Sequence, residues 1–194
     1  MGQIDLLIHA VRSLDAVGIP YMLTGSYALS VAGAIRSTHD IDIVVELGGA
    51  SLPALLDAFP ASRFHFSRNA AEDAVRRRTM FNILDEEEGD KVDFWMLTDD
   101  AFDRIRFERR RTVEFRGTRL SVSTPEDTIL MKLRWSADSG GSGRQMRDVQ
   151  TMYAMCAGTL DEPYLSQWAD RLGVRDELDR IRRENPPTAP DHSR

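Results

Sequence analysis

The stretch Asp40-Ile41-Asp42-Ile43-Val44-Val45 limits what this chain can fold into more than any other segment. Four of its six side chains are β-branched, and such residues favour extended backbone. Side chains in a strand alternate between its two faces. Asp40 and Asp42 therefore share one face, with Cα atoms about 6.7 Å apart, while Ile41, Ile43 and Val45 share the other. The strand must bury its aliphatic face and still accommodate two carboxylates on the opposite one. Neighbouring carboxylates repel unless a cation lies between them. A hard divalent ion such as Mg²⁺ takes oxygen ligands, commonly one or two carboxylates together with substrate phosphates.

Upstream, the apolar run Tyr21-Met22-Leu23 stops at Thr24-Gly25-Ser26, and a helix-length stretch follows from Tyr27 to Ile35. The order predicts strand, tight turn, helix, strand. A glycine lets backbone approach a ligand closely. Ser26 can cap the helix that follows, and the free N–H groups at such a helix start favour a phosphate. Gly25 and Ser26 are accordingly candidate phosphate-binding residues. Downstream, Asp93 lies within the apolar strand Lys91-Val92-Asp93-Phe94-Trp95. A carboxylate there must be paired, bind metal or face solvent at an edge.

The ordered set of Gly25-Ser26, thirteen intervening residues, Asp40-x-Asp42 and then Asp93 resembles the nucleotidyltransferase superfamily of DNA polymerase beta. The resemblance spans roughly residues 20 to 97. It implies an α+β fold with an α/β-type core: a mixed β-sheet flanked by helices, with a helical C-terminal part. It also implies a metal-dependent enzyme that moves an NMP group from an NTP to a hydroxyl acceptor. Asp40, Asp42 and Asp93 would be both the catalytic residues and the metal ligands. They would hold two Mg²⁺ ions, or Mn²⁺ in their place, arranged to stabilise the attacking and leaving oxygens. Gly25 and Ser26 would hold the β- and γ-phosphates.

Further along, Pro125-Glu126-Asp127, Lys132-Leu133 and Arg147-Asp148 resemble the abortive-infection toxin branch of AbiEii type. That resemblance implies Lys132 at the nucleotide triphosphate, Arg147 with Asp148 bracing a helical wall, an RNA acceptor such as tRNA, and an antitoxin protein as partner. Other readings of the same residues stay open. One is a small-molecule acceptor of aminoglycoside type. A second is a nucleotide- or partner-binding module without turnover, and a third is a plain α/β domain whose acidic strand faces water.

The remaining elements follow from periodicity. Ile4, Leu7, Ile8, Val11, Leu14 and Val17 predict an amphipathic helix over 3–17, closed by Gly18 and Pro20. Helices are predicted from Ser51 to about Ala58 and from Asn69 to Arg78, with a short strand at Phe64-His65-Phe66. Thr79–Leu84 and Lys91–Leu97 predict a hairpin around a solvated acidic tip at Asp85–Asp90. Thr98 is expected to cap a helix over 99–110. A second hairpin is expected around Gly117. Thr124-Pro125 should open a helix to about Trp135, with Ile129, Leu130 and Leu133 buried and Lys132 off that stripe. A glycine-serine loop over 136–143 then leads to helices at 144–157, 161–172 and 174–183. The expected domains are a nucleotidyltransferase core at 1–123, a helical extension packed on it at 124–184, and a flexible tail at 185–194.

With 194 residues and a net charge of -6, the chain does not present a globally basic surface for nucleic acid. Its arginines are clustered at Arg76-Arg77-Arg78 and from Arg104 to Arg111, which reads either as solvated helix faces or as a path for a polyanion. One cysteine, Cys156, excludes an internal disulfide framework. The sequence shows neither a membrane-span pattern nor a signal-peptide pattern, so a cytoplasmic location is expected.

Overall fold

The structure, a computed structural model, describes residues 2–25, 40–138 and 143–185. The chain divides into two compact units, 1–123 and 124–194. The first contains α1 (Gln3–Val17), β1 (Tyr21–Thr24), β2 (Asp40–Val45), α2 (Leu52–Asp57), β3 (Phe64–His65) and α3 (Arg68–Arg77). It continues with β4 (Met80–Asp85), β5 (Lys91–Met96), α4 (Ala101–Glu108), β6 (Arg111–Phe115) and β7 (Thr118–Val122). Ser26 and the expected helix over 27–35 lie outside the described residues.

The strands form a seven-stranded sheet in the order β3-β4-β5-β2-β1-β7-β6. β2 pairs with β5 in parallel, as β1 does with β7, and the other pairings are antiparallel. The fold is therefore α+β with a mixed sheet, and the Asp-bearing strand β2 is at its centre.

The alternation along these strands divides the sheet into two unequal faces. Tyr21, Leu23, Ile41, Ile43, Val45, Val92, Phe94 and Met96 all belong to the main core, together with Leu6, Leu7, Ala10, Val11 and Leu14 of α1. Ile41, Ile43 and Phe94 are fully buried, and burying such a side chain contributes about 1.5–3 kcal/mol. α1 ends where Gly18 adopts φ 72°, with its N–H directed to Asp15 and Leu14 carbonyls, the left-handed cap that glycine adopts without strain. His9 is structural: Nε2 is 2.9 Å from the Ala58 carbonyl, and the ring meets Phe59 edge-on and lies parallel to Phe64. On the opposite face a small apolar cluster, Met22, Val44, Leu97 and Phe107, lies toward one end.

Two local expectations change. The helix after Thr98 begins later than expected, at Ala101. Asp100 is its cap, accepting from the Phe102 and Asp103 N–H groups, and Thr98 instead donates its hydroxyl to Asp103. The acidic hairpin tip is only partly solvated. Asp85 is fully buried, binds Arg63 at 2.8 Å and accepts the Glu87 N–H at 3.1 Å, so it closes the turn instead of facing water.

The second unit contains α5 (Pro125–Asp138), α6 (Gly143–Cys156), α7 (Glu162–Leu172) and α8 (Arg175–Glu184). Thr124 caps α5 as expected. It accepts the Asp127 N–H at 3.2 Å and donates its hydroxyl to Asp127 Oδ2 at 2.7 Å. α5 runs three residues beyond Trp135, so 136–138 are helical; 139–142 and 186–194 lie outside the described residues. Lys132 is not off the buried stripe. α5 packs against both α6 and α7, so its buried surface extends around the helix from Glu126 to Leu133. Lys132 is 4% exposed and pairs with Asp148 of α6 at 3.0 Å.

Candidate active site

The second face of the sheet carries the candidate site residues. β1 and β2 place Thr24 opposite Asp42. β2 and β5 place Asp42 opposite Asp93, and β5 and β4 place Asp93 opposite Asn82. One polar row, Thr24–Asp42–Asp93–Asn82, thus crosses four strands. The adjacent row is Asp40–Lys91–Leu84. The row on the other side is Met22–Val44–Trp95–Met80, where the apolar cluster begins.

Asp40, Asp42 and Asp93 are therefore brought together on one face by two parallel strands in register. Their environments differ. Asp40 is exposed and Asp42 half-buried, whereas Asp93 is 5% exposed. Burial pushes the Asp42 carboxyl up to about 6. The Trp95 indole hydrogen bond opposes that, the charges of Asp93 and Asp40 add to it, and the Lys91 ammonium pulls it back. Trp95 Nε1 donates to Asp42 Oδ1 at 3.3 Å. Asp93 Oδ1 is buried and has no hydrogen-bond partner among the described residues. Such an atom costs free energy unless something else satisfies it.

Lys91 is the cation of this face. Its ammonium lies 2.7 Å from Asp93 Oδ2 and 3.5 Å from Asp40 Oδ1. Burial alone would lower its pKa, but the hydrogen bond to Asp93 and the charges of Asp93 and Asp40 raise it. The ammonium therefore stays charged.

Gly25 supplies the close approach that its position in the sequence suggests. It adopts φ 68°, and a Cβ built there would collide with Asp42 Oδ2 and lie 3.2 Å from Asp42 Cγ. Only a glycine both tolerates that backbone and leaves room for the carboxylate. The phosphate-binding expectation for Ser26 lies outside the described residues. Lys132 and Asp148 belong to the helical unit, where Asp127 also accepts the Tyr164 hydroxyl at 2.5 Å. Pro125-Glu126-Asp127 thus begins a buried polar network.

Lys91, Trp95 and Asn82 were missed as site residues. The signal was present for two of them, because 91, 93 and 95 alternate onto one face. Asn82 depends on the register of the hairpin, which the sequence does not specify.

Among the described residues, no three His, Cys, Asp or Glu side chains converge into a ready-made metal cluster. The donor set nevertheless fits Mg²⁺. An in-register carboxylate pair with one unused buried oxygen suits an ion that takes one or two carboxylates and completes its shell with water and substrate phosphates.

No protein-family model matches the sequence, and no curated protein matches it by sequence. Solved structures do match. An antigenic nucleotidyltransferase-like protein from Paracoccidioides brasiliensis superposes with TM-score 0.53 at 17% identity, over 90% of each chain. ANT(2'')-Ia in complex with adenylyl-2''-tobramycin superposes with TM-score 0.58 at 12% identity, over 90% of this chain and 98% of the other. The solution structure of the same antibiotic-resistance factor gives 0.53 at 12% identity, over 94% and 96%.

This chain has a nucleotidyltransferase fold.

Within that fold, the arginines expected either to coat helix faces or to form a polyanion path are largely engaged. Arg76 and Arg77 pair with Asp73, Arg78 with Asp99, Arg104 with Glu46 and Asp99, and Arg106 with Asp103. No described helix is long and apolar enough to cross a membrane.

Proposed function

We propose that this protein is a metal-dependent nucleotidyltransferase that moves an NMP group from an NTP to a hydroxyl of a small molecule. The observation that carries the reading is the in-register pair Asp42 and Asp93, with Asp40 on the same face and Gly25 fitted against Asp42. Three acids on one face, with one lysine beside them among the described residues, form a place for added positive charge.

In this reading Asp40, Asp42 and Asp93 hold Mg²⁺, or Mn²⁺ in its place. An ion held there would neutralise charge on the triphosphate and lower the pKa of the attacking hydroxyl. Asp93, the most buried of the three, accepts the hydroxyl proton. The acceptor oxygen bonds to the α-phosphorus and the α–β bridging bond breaks, so pyrophosphate leaves with the electron pair. Gly25 and Ser26 hold the terminal phosphates through backbone N–H groups and the serine hydroxyl. Such catalysis rests on position and charge stabilisation.

Three observations favour a small acceptor. The net charge is -6, the arginines named above are engaged by carboxylates, and ANT(2'')-Ia was captured with adenylyl-2''-tobramycin. The toxin-like alternative, with an RNA acceptor, Lys132 at the triphosphate and an antitoxin partner, is separated by the same experiment. The protein is incubated with each α-labelled NTP, Mg²⁺, and either cellular RNA or an aminoglycoside panel, beside Asp42→Asn. Label on a small molecule that the variant fails to transfer is the expected result. Label on RNA would replace the acceptor. Equal labelling by the variant would overturn the site.

A further inference from the structure

Resting on the reading that Asp40, Asp42 and Asp93 are metal ligands, we infer that Lys91 is a built-in counter-cation that makes metal binding depend on nucleotide. Its ammonium bridges Asp93 Oδ2 at 2.7 Å and Asp40 Oδ1 at 3.5 Å, joining the innermost and outermost carboxylates of the face. A divalent ion held by the same oxygens would stand within a few ångströms of that ammonium. Like charges at such range repel strongly when partly shielded from water. Metal and ammonium therefore compete for one set of carboxylates.

The geometry gives the ammonium a way out. Lys91 begins β5, and its side chain is 33% exposed on a flexible four-carbon stem. Leu84, its neighbour on β4, is apolar and offers no replacement anion. Among the described residues, the Lys91 ammonium pairs with Asp93 and Asp40. An evicted ammonium therefore gains most from an anion that arrives with the metal, and the triphosphate of an NTP is such an anion. Metal alone must displace the lysine without compensation. Metal with nucleotide displaces it onto a phosphate. Linkage makes the effect reciprocal: nucleotide tightens metal by the factor that metal tightens nucleotide. Lys91 is in this sense a positioning residue, and it also prevents the acids from collecting divalent ions when no substrate is present.

The test measures binding, not turnover. Free Mn²⁺ is followed by electron paramagnetic resonance for the wild-type chain, Lys91→Met, Lys91→Gln and Lys91→Arg, each with and without an α,β-methylene NTP analogue. Thermal melts confirm that each variant is folded. Without nucleotide, the two neutral variants are expected to bind Mn²⁺ at least tenfold more tightly than wild type, and Lys91→Arg close to wild type. The analogue should tighten Mn²⁺ clearly in wild type and Lys91→Arg, and little in the neutral variants. If the folded neutral variants bind Mn²⁺ no more tightly than a wild type that does bind it, the counter-cation role is overturned and the metal site stands. If no form binds Mn²⁺ even with the analogue, the metal site itself is overturned, and this inference with it.

Discussion

Trp95 reaches across two parallel strands to donate its indole N–H to Asp42 Oδ1 at 3.3 Å. That bond favours the ionised carboxylate, against a burial effect that pushes the Asp42 pKa up to about 6. Trp95→Phe removes it, so the Asp42 pKa should rise further. If metal capture needs ionised Asp42, the acid limb of the kcat/KM profile, which reports the free enzyme, lies near pH 6 in wild type and moves to higher pH in Trp95→Phe. An unmoved limb would separate Asp42 from the titration that governs rate.

The same raised pKa has a consequence for stability. A carboxyl whose folded pKa lies above its unfolded value stabilises the fold fully below the unfolded value, and that contribution is lost as pH rises through the folded pKa. The Asp42 contribution to the stability of the metal-free chain should therefore be lost between about pH 4 and pH 6. Asp42→Asn should be more stable than wild type at pH 8 without metal, by on the order of 1–2 kcal/mol after allowance for partial exposure, while losing activity. Melts at pH 3.5 and pH 8 with a chelator check the sign.

Gly25→Ala meets two obstacles. The left-handed backbone costs an L-residue about 1–2 kcal/mol, and the new methyl would displace the Asp42 carboxylate. Reduced stability should come with loss of activity of at least tenfold, because the displaced group is itself in the site. Denaturant titration and labelled-NTP turnover on the same preparation check both.

Arg63 and Asp85 provide a contrast remote from the chemistry. Burial would raise the Asp85 pKa, but hydrogen bonds from Arg63 and the Glu87 N–H, with the Arg63 charge, lower it overall. A depressed carboxyl contributes stability above its unfolded pKa and loses it as pH falls through the folded one. Arg63→Met should lower stability at pH 7, and the difference from wild type should shrink as pH falls below about 4. Nucleotide affinity should not change.

Lys132→Met asks which role that lysine has. Its ammonium is buried against Asp148, and removing one member of a buried pair costs about 3–5 kcal/mol. A loss of stability with unchanged nucleotide affinity in the folded fraction would assign it to the helical unit alone. A selective loss of affinity would support the triphosphate role that the toxin-like resemblance implies.

The sequence made the carboxylates legible for a simple reason. Strand alternation is a strict period of two, so Asp40 and Asp42 could only share a face, and the aliphatic residues between them could only form the other. The companion in β5 was visible as an acid in an apolar strand. Pairing partners were less visible. Nothing local states that Asp42 stands beside Asp93, or that Asn82 completes the row, because register is set by contacts distant in sequence. Lys91 is less legible because its pairing with Asp40 depends on the β2–β5 register. Lys132 was misread for a different reason: a stripe argument assumes one packed face, and α5 has more than one neighbour. The burial of Asp85 is likewise hidden within a charged run, since composition does not show which member of a run turns inward.

The central strand also couples two kinds of failure. Along β2, odd positions belong to the core and Asp40 and Asp42 to the opposite face. A point substitution can damage one role and spare the other. Deleting a single residue inside β2 exchanges the faces downstream or upstream of the gap, driving a carboxylate into hydrocarbon or an isoleucine into the site. Length within this segment is therefore less forgiving than identity: variants that lose a codon here forfeit fold and chemistry together, whereas variants that change one can separate them.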